Sequence, residues 1–252
     1  MKQMTVDRLN VLIYDTRAQM GAAAAKDGAE ALKRVIAQKG SANVMFAAAF
    51  SQKELLEGLI ASDVDFTRVH AFHMDNYLGL ADDAPQQFSQ FLTYYLFRHL
   101  PFASVNLMGS DEADAARYAK LLADHPLDIC FMGIGENGHI AFNDPAEADF
   151  CDPHTVKTVQ LDEVCRMQQV HDGCFAKLDD VPKQALSLTI PALTKFVQIL
   201  CVVPAPTKAQ AVRDTLAGPI SEDCPASILR TCWGAQLYLD PDSAALWEKE
   251  NV

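Results

Sequence analysis

Residues 128–145 run Asp128-Ile-Cys-Phe-Met-Gly-Ile-Gly-Glu-Asn-Gly-His139-Ile-Ala-Phe-Asn-Asp144-Pro145, an apolar tetrad followed by a glycine-rich turn that carries an imidazole, amides and carboxylates. Imidazole exchanges protons near neutral pH through either nitrogen, so His139 is suited to shuttling one. Gly133, Gly135 and Gly138 allow the sharp turn that would bring it to the end of a strand. Residues 69–80, Val69-His-Ala-Phe-His-Met-Asp75-Asn-Tyr77-Leu-Gly79-Leu, have the same form, a short β-type run ending in a carboxylate, an aromatic and a glycine. Two strand ends therefore offer acid and base groups. His70 and His73 are three apart on a strand and face opposite sides, which argues against a two-histidine metal clip. No metal is expected.

Those two loops need strands beneath them. Ile129 to Met132 are apolar at every position, as expected for a central parallel strand covered on both faces. That strand is expected over residues 127–133 and others over 9–14, 43–49, 69–74, 196–203 and 236–239, with two more over 155–161 and 185–190. Between them, helices are expected over 16–38, ending near Gly40, and over 51–61, 111–123, 207–216, 225–230 and 243–250, with an aromatic-rich one running to about residue 99. Ser51 followed by Glu54 has capping-box spacing. The segment holding Arg166, Gln168, Gln169 and Asp172 is the least regular. Alternation of this kind predicts an α/β fold: one Rossmann-like domain over residues 1–252, with a mostly parallel sheet and helices on both faces. Ligands bind such sheets at the carboxyl ends of the strands, where His139 and Asp75 would sit.

The two loops resemble the glucosamine-6-phosphate deaminase (isomerase) family, whose signatures are an M-D-E-Y-x-G-L strand end and a G-x-G-x-[DN]-G-H-I-[AG]-F-N-E-P loop. Val203-Pro-Ala-Pro-Thr-Lys208-Ala is similar to the family's strand and helix start bearing a phosphate-binding lysine. The resemblance implies a cofactor-independent isomerisation of a phosphorylated amino sugar with release of ammonia. Asp75 would move a proton from C2 to C1, His139 would open the sugar ring, Asp144 would orient His139, and Asn137 would supply an orienting hydrogen bond. Lys208, Ser51, Gln52 and Gly138 would hold the substrate and its phosphate. Three departures stand out. Asn76 and Asp144 occupy positions that are usually glutamate, and Ala47-Ala-Ala-Phe50-Ser51-Gln52-Lys53 replaces a T-G-G-T-P-like loop. Amides at a helix N-terminus still favour an anion there. Read as ordinary structure, Asp75 and Ser51 would be caps and Lys208 a solvated surface residue. Arg166 and Lys157 fall where the family has further cationic contacts, with Gln169 in place of an arginine.

A formal net charge of −12 argues against broad nucleic-acid or anionic-membrane binding, yet permits one phosphate held locally. No stretch approaches the ~18 uninterrupted apolar residues of a membrane span, and the first residues lack the apolar core of a secretory signal. Seven cysteines with no Cys-x-x-Cys pair suggest reduced thiols, Cys130 and Cys201 within the core, and a cytoplasmic location. A homo-oligomer stays open. The alternatives are a 6-phosphogluconolactonase, whose loop usually continues T-A-S-L-F-P after Gly-His, and a non-catalytic sugar-phosphate-binding domain.

Overall fold

The computed structural model describes residues 1–196 and 198–251. Its first half contains β1 (Lys2–Val6), β2 (Leu9–Ile13), α1 (Arg17–Lys39), β3 (Ala42–Phe46), α2 (Lys53–Ile60), β4 (Val69–His73), β5 (Asp75–Tyr77), α3 (Phe88–Tyr95), β6 (Ser104–Asn106), α4 (Asp114–Asp124) and β7 (Ile129–Met132). There follow β8 (Val156–Gln160), α5 (Glu163–His171), β9 (Gln184–Leu188), α6 (Ile190–Leu193), β10 (Gln198–Val203), α7 (Ala209–Ala217), β11 (Ala235–Leu239) and α8 (Pro241–Asn251).

An eight-stranded sheet has the order β1-β2-β11-β10-β7-β3-β4-β6, and each neighbouring pair is parallel except β1 with β2. Because successive side chains of a strand point to opposite faces, Ile129 and Phe131 of β7 join one apolar cluster while Cys130 and Met132 join the other. Helices cover both faces, so the expected α/β class holds. Thr16 caps α1 by accepting from the Gln19 N–H, and Gly40, with φ of 85°, ends it in the left-handed region.

Several elements differ from the sequence expectation. The edge strand β1 was not expected; it is largely exposed and lacks a buried apolar run. The strands over 155–161 and 185–190 exist as β8 and β9 but stand outside the parallel sheet. They form a three-stranded antiparallel sheet, β5-β9-β8, in which Asp75 lies opposite Ser187. The segment read as irregular is α5, capped by Asp162 and burying Cys165, Gln168 and Gln169. Ser51 does not start a capping box: residues 50–52 form a 3₁₀ turn, and Glu54 instead receives Arg17 at 2.7 and 3.0 Å. A bidentate, charge-assisted pair outcompetes a neutral cap. The strand expected over 196–203 is β10; Val197 lies outside the described residues. Among the described residues no helix is long and apolar enough to cross a membrane.

Candidate active site

Strands β3 and β7 lie side by side, but the crossovers that follow them leave toward opposite edges, which opens a crevice at their carboxyl ends. The adjacent ends of β10, β7, β3 and β4 deliver their loops to it. A cavity of 120 Å³ results, with Ser51, Asp75, Gly135, His139, Asp172 and Lys208 on its wall.

Asp75 is 5% exposed, and burial pushes its carboxyl up to about 8. Among the described residues none donates a hydrogen bond to that carboxylate. Its backbone, in contrast, is tightly held. The His73 Nε2 accepts from the Met108 N–H at 2.8 Å, which leaves the proton on Nδ1 to donate to the Asp75 carbonyl at 2.9 Å. Burial lowers His73 to about 4, so this ring is neutral. Asn76 donates to the Met108 carbonyl and accepts from the Phe88 N–H, a dual role that the family's glutamate could not fill as a carboxylate.

The His139 ring rests against the backbone of Gly135, where an added Cβ would come within 2.2 to 2.4 Å of three ring atoms. His139 Nδ1 is 3.0 Å from Asp144 Oδ1, at ion-pair distance but off the line of a hydrogen bond. Asp144 is fully buried. Burial alone would raise its carboxyl, but His139, the Asn137 amide at 3.0 Å and the Asp162 N–H at 2.9 Å together hold it below the usual carboxylate range. Asn137 also donates to Asp162 at 2.8 Å and accepts from the His139 N–H at 3.1 Å. An aspartate at this position would set a third carboxylate between two others, which explains the amide here. The loop is anchored to the small sheet as well: Phe142 N–H donates to the Ser187 hydroxyl, and Asn143 donates to the Leu188 carbonyl. Strand β9 therefore ties Asp75 and the His139 loop to a common support.

Replacing Gly135 with alanine is expected to displace the imidazole and lower turnover ~10²-fold, because a shift of about 1 Å at a reacting group carries that cost. Steady-state kinetics beside a melting curve checks it. Wild-type turnover in a folded Gly135→Ala protein would show that the ring position is immaterial.

Lys208 is buried, and its Nζ has no hydrogen-bond partner among the described residues. Burial lowers its pKa, with Asp172 and Glu136 acting in the opposite sense. Such an ammonium is suited to an anionic ligand. Ala141 and Ala205, two non-glycine residues with positive φ, of 48° and 85°, also border the cavity, and strain of this kind concentrates at functional sites.

Of the residues singled out in the sequence, Ser51, Asp75, His139 and Lys208 share the cavity wall, while Asn137 and Asp144 stand behind His139. Gln52 is not on the wall; it donates to the Ser51 hydroxyl at 3.1 Å and to the Val202 carbonyl at 3.0 Å. Gly138 is not on the wall either: its φ is 83° and it faces Cys224. Arg166 donates to the Leu178 and Val181 carbonyls, and Lys157 pairs with Asp152, both away from the cavity. Gln169 does border it. Arg17 on the wall and Asp162 behind Asn137 escaped the sequence reading, and Asp172, named there only as part of the irregular segment, also stands on the wall. Arg17 carries one sequence signal, a cation at the start of the helix that follows β2.

Ligand atoms of His139, Asp144 and Cys165 lie within 4.8 Å of one another. Both Asp144 oxygens are already engaged, and burial pushes the Cys165 thiol well above its ordinary range. The donor set is therefore that of a hydrogen-bonded support rather than of a metal centre.

Residues 15–237 match the family model for glucosamine-6-phosphate isomerases/6-phosphogluconolactonase. A glucosamine-6-phosphate deaminase of Streptococcus pneumoniae (strain Hungary19A-6) is 34% identical over 224 residues, covering 87% of this chain and 93% of the relative. One from Oenococcus oeni is 32% identical over 231 residues, covering 90% and 95%. Among solved structures, a monomeric glucosamine-6-phosphate deaminase superposes with a TM-score of 0.86 at 28% identity, over 94% of this chain and 99% of the other. A 6-phosphogluconolactonase from Shewanella baltica gives 0.75 at 16% identity, over 94% and 97%, a likeness of fold.

Proposed function

Because the chain belongs to the family of glucosamine-6-phosphate isomerases and 6-phosphogluconolactonases, we propose that it is a glucosamine-6-phosphate deaminase, converting an amino sugar phosphate to ketohexose 6-phosphate and ammonia. One observation carries this reading. Among the described residues, a buried carboxyl that receives no hydrogen bond and a buried ammonium that finds no acceptor share one small cavity. A substrate bearing both an ammonium and a phosphate supplies what each lacks.

In the proposed reaction His139 moves a proton between the ring oxygen and the anomeric hydroxyl, and the sugar opens. Asp144 and Asn137 orient the imidazole as positioning residues. Asp75 as carboxylate then takes the proton from C2, the C1 aldehyde oxygen gains the proton that the substrate ammonium releases, and a 2-amino enol forms. Reprotonation at C1 leaves an imine at C2, which water hydrolyses to the ketone and ammonia. Each step is a proton transfer or an addition of water, so no redox cofactor is required. The substrate ammonium near Asp75 favours the charged carboxylate and so readies the base when the cavity fills. Lys208 and Ser51 would hold the phosphate.

Assays of ammonia from glucosamine 6-phosphate and galactosamine 6-phosphate, beside acid from 6-phosphogluconolactone, test this. Ammonia from an amino sugar phosphate is the expected result. Acid from the lactone with no ammonia from either amino sugar would assign the cavity to lactone hydrolysis.

A further inference from the structure

Beside the catalytic cavity lies a second one of 430 Å³, within the range of about 300–1,000 Å³ usual for small-molecule sites, whereas the first at 120 Å³ falls below it. The two share Ala48, Ala49, Phe50, Phe88, Gln169 and Asp172 as a common wall. Neither Asp75, His139 nor Lys208 belongs to that shared wall. The two cavities therefore meet along Phe50 and Asp172, on the side of Ser51 and of Lys208, with which Asp172 interacts electrostatically, and neither Asp75 nor His139 borders the second.

The second cavity has the chemistry of a sugar-ring subsite. Phe50 meets Phe91 and Tyr95 edge-on at 5.3 and 5.8 Å, and Tyr94, more than half exposed, continues the aromatic wall. Asp83, Gln86 and Asp172 add acceptors and donors, and no Lys, Arg or His lies among its described lining residues. With Asp83 and Asp172 and no cation on its own lining, the second cavity does not favour a phosphate or a carboxylate ligand. The C–H face of a pyranose packs on aromatic rings, and its hydroxyls meet carboxylates and amides at the rim. Phe50, in place of the small residue usual in the phosphate loop, lines both cavities.

We infer that this cavity binds a second, uncharged sugar ring carried on O3 or O4 of the amino sugar 6-phosphate. The inference rests on the deaminase reading for the orientation of the substrate. Isomerisation needs a free C1, deamination a free C2 amine, ring opening the ring oxygen, and C6 bears phosphate. O3 and O4 remain.

The test is calorimetric titration of the wild-type protein with the C1-reduced alditol of glucosamine 6-phosphate, which cannot isomerise, and with the same alditol bearing a glucosyl ring at O3 or at O4. One glucosylated alditol should bind about tenfold more tightly than the plain one. Tyr94→Ala should abolish that advantage and leave affinity for the plain alditol within about twofold. Weaker or equal binding of both glucosylated alditols, or an advantage untouched by Tyr94→Ala, would overturn the subsite. Turnover of glucosamine 6-phosphate, measured on the same preparation, judges the catalytic reading separately: absent ammonia counts against the deaminase, while the affinity ratio decides the subsite.

Discussion

Asp75→Asn is expected to lose ~10²-fold to 10⁴-fold in turnover, because an amide of nearly the same shape cannot accept the C2 proton. The same protein should melt at a higher temperature at neutral pH. The sign follows from the raised carboxyl. In the unfolded chain Asp75 ionises near 3.8, and in the fold at about 8, so between these values folding must hold a proton that the unfolded chain releases. Stability is full below the lower value and declines as pH rises toward the upper one. Each pH unit in that window costs about 1.4 kcal/mol at most. An asparagine has no such dependence. Melting curves between pH 5 and 8, wild type against variant, should diverge with rising pH. Half of the wild-type turnover retained, or a variant less stable at pH 8, would remove Asp75 from the role of buried base.

Lys208→Met is the second large effect. A charge-assisted contact to a phosphate dianion is worth ~1.5–3 kcal/mol, so KM for the phosphorylated sugar should rise roughly tenfold or more. The empty protein should nonetheless gain stability, since methionine keeps most of the apolar stem and removes a buried ammonium that lacks a hydrogen-bond partner among the described residues. Inorganic phosphate should raise the melting temperature of the wild type and have little effect on the variant. A KM within about twofold of wild type would place the phosphate elsewhere on the wall, with Arg17 the next cation to test.

The difference between what was legible in the sequence and what was not follows from range. The parallel sheet could be read because Ile129 to Met132 and their counterparts are continuous apolar runs, and the loops at their ends carry local signatures in His139 and Asp75. The small sheet could not. Strand β5 is three residues long, and its partner β9 lies more than a hundred residues away, so its pairing depends on contacts that leave no local period. The polar pattern of α5 hid its helix, whose inward face carries Gln168 and Gln169 in place of aliphatic residues. Within the site, Asp162 is joined to Asn137 only by folding, and the amides at positions 76 and 137 become intelligible once their carbonyl and carboxylate partners are seen. Gly138 stood out for its motif, but its left-handed backbone and the Cys224 contact give it a structural task. Gly135, equally visible, is the glycine on which the imidazole lies.

The most direct measurement is turnover of glucosamine 6-phosphate in deuterium oxide, with the products followed by nuclear magnetic resonance and ammonia assayed alongside. If Asp75 takes the proton from C2 and returns one at C1, the ketohexose 6-phosphate should carry solvent deuterium at C1 in at least part of the product, with one ammonia released for each ketose. Ammonia without ketose, or a ketose whose C1 holds protium alone, would contradict proton transfer by a solvent-exchanging carboxyl at the start of β5.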